Sequence, residues 1–247
     1  MHETAHHSAV SDALVALACG PLDATSTAAV DAARTRVAEA RAQASGNSAV
    51  ATQLAALLQS QGSTAGDQRV RAWTLGATLA SVGAGNATPD VPVLAAVVTI
   101  GDAIGSSETD MAEAAAVGIE AAARVLAAVD SSEFRARWNV ASAIGILGAT
   151  LAAARLHRLD ATRARHALGV AATQAAGLAH NVSHAVGALE TGKAAADAIE
   201  AALIAKHGFT SAPASIDGRR GFAALMAYRF DPQAIVEGIG SRWVSAS

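Results

Sequence analysis

Apolar residues recur at helical spacing along most of the chain, and short polar or glycine-rich breaks separate these runs. We predict that Thr25 or Ser26 caps a first long helix that continues to Ala44, and that Ser107 or Thr109 and then Asp160 cap later ones. The predicted helices after the first are 48–59, 71–82, 91–105, 110–128, 137–156, 161–179, 193–207 and a short one that ends at 238.

The apolar run Val91–Gly105 is compatible with a buried strand or a buried helix, and its length favours the helix. The sequence contains no convincing β-hairpin pattern. The pattern therefore predicts an all-α fold, a bundle of about eight helices.

Composition adds a reason for tight helix packing. Hydrophobic residues make up 52% of the chain and aromatic residues only 3%, because much of the apolar fraction is alanine. Charged residues make up 16%, against roughly 25% in an ordinary soluble domain. A chain with so little charged surface is expected to bury much of its helix area or to form an oligomer, and we predict a homodimer.

Charge and cysteine content narrow the possible partners. The formal net charge is -3 and no dense run of Lys or Arg occurs, which argues against a nucleic-acid partner. Cys19 is the single cysteine, so neither an internal disulfide nor a cysteine metal motif is expected. The start of the chain lacks the pattern of a secretion signal, and the uncharged run 138–154 is short for a bilayer span. We therefore expect a cytoplasmic protein without a membrane segment.

Several short motifs follow one another in a recognisable order. They are Pro92-Val93-Leu94, Leu156-His157-Arg158-Leu159-Asp160, Ala167-Leu168-Gly169-Val170-Ala171, Gln174-Ala175-Ala176-Gly177-Leu178, Gly192-Lys193-Ala194-Ala195, Lys206-His207-Gly208-Phe209-Thr210 and Gly218-Arg219-Arg220-Gly221-Phe222. In this order and spacing they resemble the MmgE/PrpD family, and they cover most of residues 10–245. That family includes 2-methylcitrate dehydratases, cis-aconitate decarboxylases and an epimerase of a small dicarboxylate.

The resemblance implies a large helical domain, a smaller lid domain and a cleft between them that takes small carboxylates without a metal or other cofactor, commonly in a dimer. Residues 1–247 then form a single helical domain with a disordered tail at 1–9. The extension 229–247 lies where the family enters its lid, and we expect the lid to be absent. The family's acidic loop has no counterpart around Gly83–Asn86.

The working residues of the family are largely replaced. Thr88 and Asn139 stand where the resemblance places histidines, Gly187 stands in place of a lysine, and Glu190 replaces another histidine. Histidine transfers protons near neutral pH, whereas Asn and Thr only form hydrogen bonds. A substrate with two or three carboxylates is therefore not expected.

New groups occur in the same region. His180 and His184 are four residues apart, which predicts that they share one helical face. If they converge with Glu190, His184 would act as a base and Glu190 would orient it or act as an acid, while Asn139 and Thr88 bind a polar substrate group. The alternatives are that both histidines face solvent, or that they hold zinc, for which no third ligand is evident.

Arg137 and Lys193 are the remaining cations expected near this cleft, as substrate-binding groups or as residues of helix ends. Three functions stay open at this point. The chain is a divergent lyase, isomerase or cyclase that acts on a small polar molecule. Alternatively, it is a non-catalytic binding subunit whose partner protein supplies a lid. The third possibility is a purely structural homodimer.

Overall fold

The fold follows from a computed structural model that describes residues 8–44, 46, 48–64, 66–82 and 87–246. Twelve α-helices occur in these ranges: α1 Ala9–Cys19, α2 Thr27–Gln43, α3 Ala49–Ser60, α4 Gln68–Val82, α5 Asp90–Ile104, α6 Glu108–Val129, α7 Ser132–Arg137, α8 Val140–Leu156, α9 Ala161–Gln174, α10 Ala185–Lys206, α11 Phe222–Met226 and α12 Gln233–Val236. Three 3₁₀ turns accompany them: Ala24–Ser26, Ala179–Asn181 and Val244–Ala246. No strand forms in the described ranges, which confirms the all-α prediction.

Helix α8 lies at the centre of the bundle and packs against α5, α6, α9 and α10. Nearly every side chain along it is buried, and small residues let the neighbouring backbones approach closely. A Cβ atom added at Gly148 would lie 2.3 Å from the carbonyl oxygen of Gly118 on α6. The many alanine and glycine residues of the sequence thus allow the backbones of neighbouring helices to pack closely.

The run Val91–Gly105, for which the sequence allowed either a strand or a helix, forms the buried helix α5. The predicted caps Ser107 and Asp160 are confirmed, because each side chain accepts a hydrogen bond from a backbone N–H in the first turn. Ser26 is the N-cap residue of α2, but the predicted cap hydrogen bond is wrong, because its side chain accepts none and donates to the Asp23 carbonyl. Asp23 instead caps the 3₁₀ turn that precedes α2.

The helix predicted over 137–156 is divided in the structure. Trp138 and Asn139 are extended between α7 and α8, and the Asn139 side chain accepts a hydrogen bond from the backbone N–H of Ser142 to cap α8. Helix α9 ends at Gln174 rather than at 179. Helix α10 begins at Ala185 rather than at 193 and continues through Gly192.

Both ends of the described part of the chain are fixed to the bundle. Residues 1–7, most of the predicted tail, lie outside the described residues, but Ser8 caps α1 and Ala9 begins it. At the other end, residues 229–246 fold against α6, where the buried Arg124 side chain donates to backbone carbonyls of this segment. The predicted loop change at Gly83–Asn86 also lies outside the described residues.

Among the described residues, no single helix is long and apolar enough to span a bilayer. Helix α1 and residues 24–43, which are bent against each other, are long and apolar enough for a span only when they are counted together.

Candidate functional site

Asn139 lies at the junction of three segments: the start of α8, the stretch 176–178 and the first turns of α10. Its side chain is only 3% exposed. The amide nitrogen Nδ2 is 3.3 Å from Glu190 Oε2, 3.4 Å from the Gly187 carbonyl oxygen and 3.5 Å from Thr191 Oγ1. An amide group has two N–H donors, so these three acceptors compete for it. Asn139 therefore cross-links α8 to the beginning of α10.

Glu190 receives a hydrogen bond on each carboxylate oxygen. Asn181 Nδ2 donates to Oε1 at 3.1 Å, and Asn139 Nδ2 donates to Oε2 at 3.3 Å. Glu190 itself is partly exposed. We call Asn139, Asn181, Glu190 and Thr191 the Asn139 cluster. Its carboxylate is held in a fixed orientation by two neutral amides.

Gly177 closes one side of this cluster. It adopts φ = +120°, and a Cβ atom there would lie 2.8 Å from Ser142 Oγ and 2.9 Å from Asn139 Cβ. Its carbonyl oxygen accepts the backbone N–H of Asn139 at 3.0 Å, and the Ser142 hydroxyl donates to the carbonyl of Ala176. Both the backbone conformation and the lack of space require glycine here.

Gly187 stands where the resemblance places a lysine, and the structure leaves no room for a side chain. A Cβ atom at this position would lie 2.6 Å from the carbonyl oxygen of Asn181 and 2.7 Å from the Cα atom of Val182. The turn before α10 therefore rests directly on Gly187. The packing of this turn therefore excludes a lysine at position 187 unless the turn moves.

The two histidines do not share a helical face, so that prediction is wrong. His180 lies in the 3₁₀ turn Ala179–Asn181, whereas His184 is the N-cap residue of α10. Both are exposed, and neither imidazole forms a hydrogen bond with Glu190 in the described ranges. In the same ranges, no group of three His, Cys, Asp or Glu side chains is arranged to hold a metal ion.

The other predicted binding residues form no hydrogen bond with the cluster in the described ranges. Thr88 is exposed just before α5, and Arg137 is exposed at the end of α7. Lys193 Nζ lies 2.6 Å from both carboxylate oxygens of Asp197 and 5.9 Å from the centre of the Trp73 ring. Burial raises the pKa of Asp197 above its ordinary value, although the Lys193 ammonium opposes that shift. The Lys193 charge is thus already paired within α10.

The structure places Asn139 within hydrogen-bond distance of Glu190 and adds Asn181 and Thr191, which the sequence analysis missed. Thr191 directly follows Glu190, and its hydroxyl donates to the Gly187 carbonyl oxygen at 3.0 Å. Asn181 directly follows His180. Their positions next to His180 and Glu190 were the one signal in the sequence that could have identified them. Which of the neighbouring polar residues face inward is determined by the fold.

The part of the chain that contains this arrangement matches a known protein family. The family model described as the MmgE/PrpD N-terminal domain matches residues 81–234, which include the whole Asn139 cluster. The chain is also similar to human cis-aconitate decarboxylase, with 30% identity over 139 residues. That match covers 56% of this chain and 29% of the human protein. The matched region therefore spans less than a third of that relative.

Proposed function

Because the chain belongs to the MmgE/PrpD family, and because its site presents a carboxylate, we propose that it binds a small polar molecule through hydrogen-bond donors of that molecule. One observation carries the proposal: Asn139 and Asn181 each hold one oxygen of the Glu190 carboxylate. Each carboxylate oxygen can accept a second hydrogen bond. An amine, a guanidine or a polyol offers the matching donors.

The local charges argue against a substrate with several carboxylates. Such a ligand would meet the negative charge of Glu190, while Lys193 is paired with Asp197 and Gly187 carries no side chain. Like charges at close range disfavour each other, and within the described ranges no cationic side chain forms a hydrogen bond with the cluster to offset that repulsion. The relative named cis-aconitate decarboxylase acts on a tricarboxylate, so we infer a different substrate class for this chain.

A divergent lyase, isomerase or cyclase is the second candidate function. His184 favours it, because this imidazole begins the helix that carries Glu190 and has no protein hydrogen bond in the described ranges. Its nitrogens are thus free to meet a ligand held at Glu190. In this candidate His184 is the base, Glu190 orients His184 or acts as the acid, and no metal takes part. Exposed Thr88, Arg137 and His180 would contribute only if the ligand or a covering segment extends to them.

A calorimetric panel of polyols, diamines, arginine and citrate tests the binding proposal. We expect a polyol or an amine to bind, and we expect Glu190→Gln to weaken that binding, because the amide replaces the acceptor charge. Glu200→Gln is the matched control, since Glu200 lies further along α10 and pairs with Arg69. Tighter binding of citrate than of every donor ligand, strengthened further by Glu190→Gln, would contradict the proposal.

Proton exchange separates the two candidate functions once a ligand binds. The wild type and His184→Ala would be incubated with that ligand in D₂O, and deuterium incorporation followed by NMR. Incorporation by the wild type that His184→Ala loses, with unchanged affinity, supports the acid–base enzyme. No incorporation by either protein supports binding without catalysis.

The homodimer and the partner that supplies a lid stay predictions. Leu178 is 55% exposed and Val186 is 46% exposed, and both lie beside the Asn139 cluster. We propose that a second chain, or a further part of this one, covers these apolar side chains together with the site. Light scattering at micromolar concentration tests the homodimer, and a sharp monomer mass would contradict it.

A further inference from the structure

A broad groove, which contains none of the residues of the Asn139 cluster, lies between the second half of α9 and the segment 210–222. Its volume is about 1720 Å³, and its walls include Val170, Trp138, Phe222 and Met226. Pockets for small molecules usually measure about 300–1,000 Å³. The size of this groove therefore suits a polypeptide segment better than a metabolite.

The groove is preformed because its outer wall is fastened to α9. The backbone N–H of Ser211 donates to His166 Nδ1 at 3.1 Å, and the Ser211 hydroxyl donates to the His166 carbonyl at 3.1 Å. A Cβ atom at Gly169 would lie 2.1 Å from Ser211 Oγ, so this close approach requires glycine. A rigid wall lowers the entropic cost of binding a segment.

The Gly218-Arg219-Arg220-Gly221-Phe222 motif forms one rim of the groove. The backbone N–H of Phe222 donates to the Ser215 carbonyl at 2.8 Å, and the Phe222 ring is buried. Arg219 and Arg220, in contrast, are exposed. The motif thus anchors its own turn through Phe222 and presents two guanidinium groups at the groove.

These arginines are not neutralised by the chain itself. No carboxylate lies within ion-pair distance of Arg219 or Arg220 in the described ranges. The nearby Asp217 accepts a hydrogen bond from the Ser8 hydroxyl at 2.6 Å and so is engaged with the start of α1. Arg137, which directly precedes the wall residue Trp138, is likewise exposed. In a chain with a net charge of -3, the lining of this groove thus carries two unpaired guanidinium groups against the single carboxylate of Asp217.

Apolar surface lies next to these charges. Trp138 donates its indole N–H to the Met226 carbonyl at 3.0 Å, which fixes the ring as part of the wall. Leu225, also in the wall, is 70% exposed, and Tyr228 nearby is 79% exposed. Aromatic side chains and arginine are the residue types enriched where proteins bind each other.

We propose that this groove binds an acidic, amphipathic peptide segment of a partner protein. Its carboxylates pair with Arg219 and Arg220, and an apolar side chain packs against Trp138. Bidentate pairing with carboxylates is the interaction for which guanidinium geometry is best suited. This inference does not rest on the function proposed for the Asn139 cluster.

A selection from a displayed library of random 12-residue peptides tests the proposal without presupposing a sequence. We expect enrichment of peptides that combine Asp or Glu with Leu, Phe or Trp. For the selected peptide, labelled with fluorescein, Arg219→Glu combined with Arg220→Glu should weaken binding about tenfold or more. Arg34→Glu, at the exposed ion pair with Asp31 on α2, is the matched control for Arg219→Glu alone and should leave the affinity unchanged.

Three results would overturn the proposal. Selected peptides without acidic residues, or peptides whose affinity survives both charge reversals, would show that the arginines do not recognise carboxylates. Displacement of the peptide by millimolar citrate, with citrate binding at this groove by isothermal titration, would assign the groove to a small anion. A homodimer that dissociates on reversal of both arginines would assign it to a second copy of this chain.

Discussion

Removing the guanidinium of Arg124 should detach the last eighteen or so residues from the bundle. Arg124 and Glu120 lie one turn apart on α6, both are 0% exposed, and Arg124 Nε is 2.6 Å from Glu120 Oε1. Nη1 donates to the carbonyls of Ile235 and Glu237 at 2.9 Å each, and Nη2 donates to the carbonyl of Arg242 at 2.5 Å. The guanidinium thus holds the C-terminal segment by its backbone.

The size of the effect follows from the buried groups that lose their partner in the Arg124→Met variant. Methionine fills much of the space with apolar atoms but leaves the Glu120 carboxylate buried without its cation. Two backbone donors, the N–H groups of Val244 and Ser245, still reach Glu120 at 3.1 and 2.9 Å. Breaking one partner of a buried pair costs about 3–5 kcal/mol. Since domains are stable by only about 5–15 kcal/mol, this loss is a large fraction of the total.

Urea unfolding and hydrogen exchange measure the two consequences. We expect the free energy of unfolding of Arg124→Met to fall by about 3–5 kcal/mol, and amide protection to be lost first within 229–246. Adding Glu120→Gln should restore part of the stability, because it removes the unpaired charge. Arg34→Met, at an exposed ion pair with Asp31, should change stability by less than about 0.5 kcal/mol. A loss below about 1 kcal/mol with unchanged protection of 229–246 would refute this reasoning.

Three further changes test other parts of the structure. Gly187→Lys should destabilise the fold by about 1–3 kcal/mol, and Gly187→Ala should reproduce most of the loss, because the Cβ atom itself meets the 181–182 backbone. Gly148→Ala should cost a similar amount, about 1–3 kcal/mol, since α6 and α8 must separate; a change within about 0.5 kcal/mol would contradict the close packing. Burial and the nearby Lys206 charge lower the pKa of His157 in the folded chain. As the pH falls, this histidine is therefore protonated in the unfolded chain first, at a pH near 6.5, and in the folded chain only at lower pH. Stability should therefore fall as pH drops from 7 towards the lower folded pKa, and His157→Gln should reduce that slope in urea titrations.

The sequence predicted helix starts correctly where they depend only on residues of the helix's own first turn. Asp160 and Ser107 cap their helices as expected, because a cap needs only its own first turn. The starts of α8 and α10 were placed wrongly because tertiary contacts decide them. Trp138 is extended because it pairs with Leu178, and α10 continues through Gly192 because that glycine packs against the backbone of Trp73.

The candidate site was predictable only in part, for the same reason. Asn139 and Glu190 could be chosen because the family resemblance aligns both with functional positions. Asn181 joins them through a turn whose path depends on the absence of a side chain at Gly187. Helical spacing suggested instead that His180 and His184 would act together, and the break between the turn and α10 separates them.

At position 187 the backbone, and not only the absence of a side chain, excludes the lysine that the family resemblance expects. Where the family resemblance expects a lysine, the 181–182 backbone now occupies the space above Gly187, and the Asn181 amide reaches Glu190. Restoring the lysine alone would displace that turn and remove a donor from Glu190. The residues at 139, 181, 187 and 190 thus depend on one another, as is usual for groups that share one hydrogen-bond network. A lysine at 187 would therefore require these positions to change together, as the proposal of a ligand without several carboxylates expects.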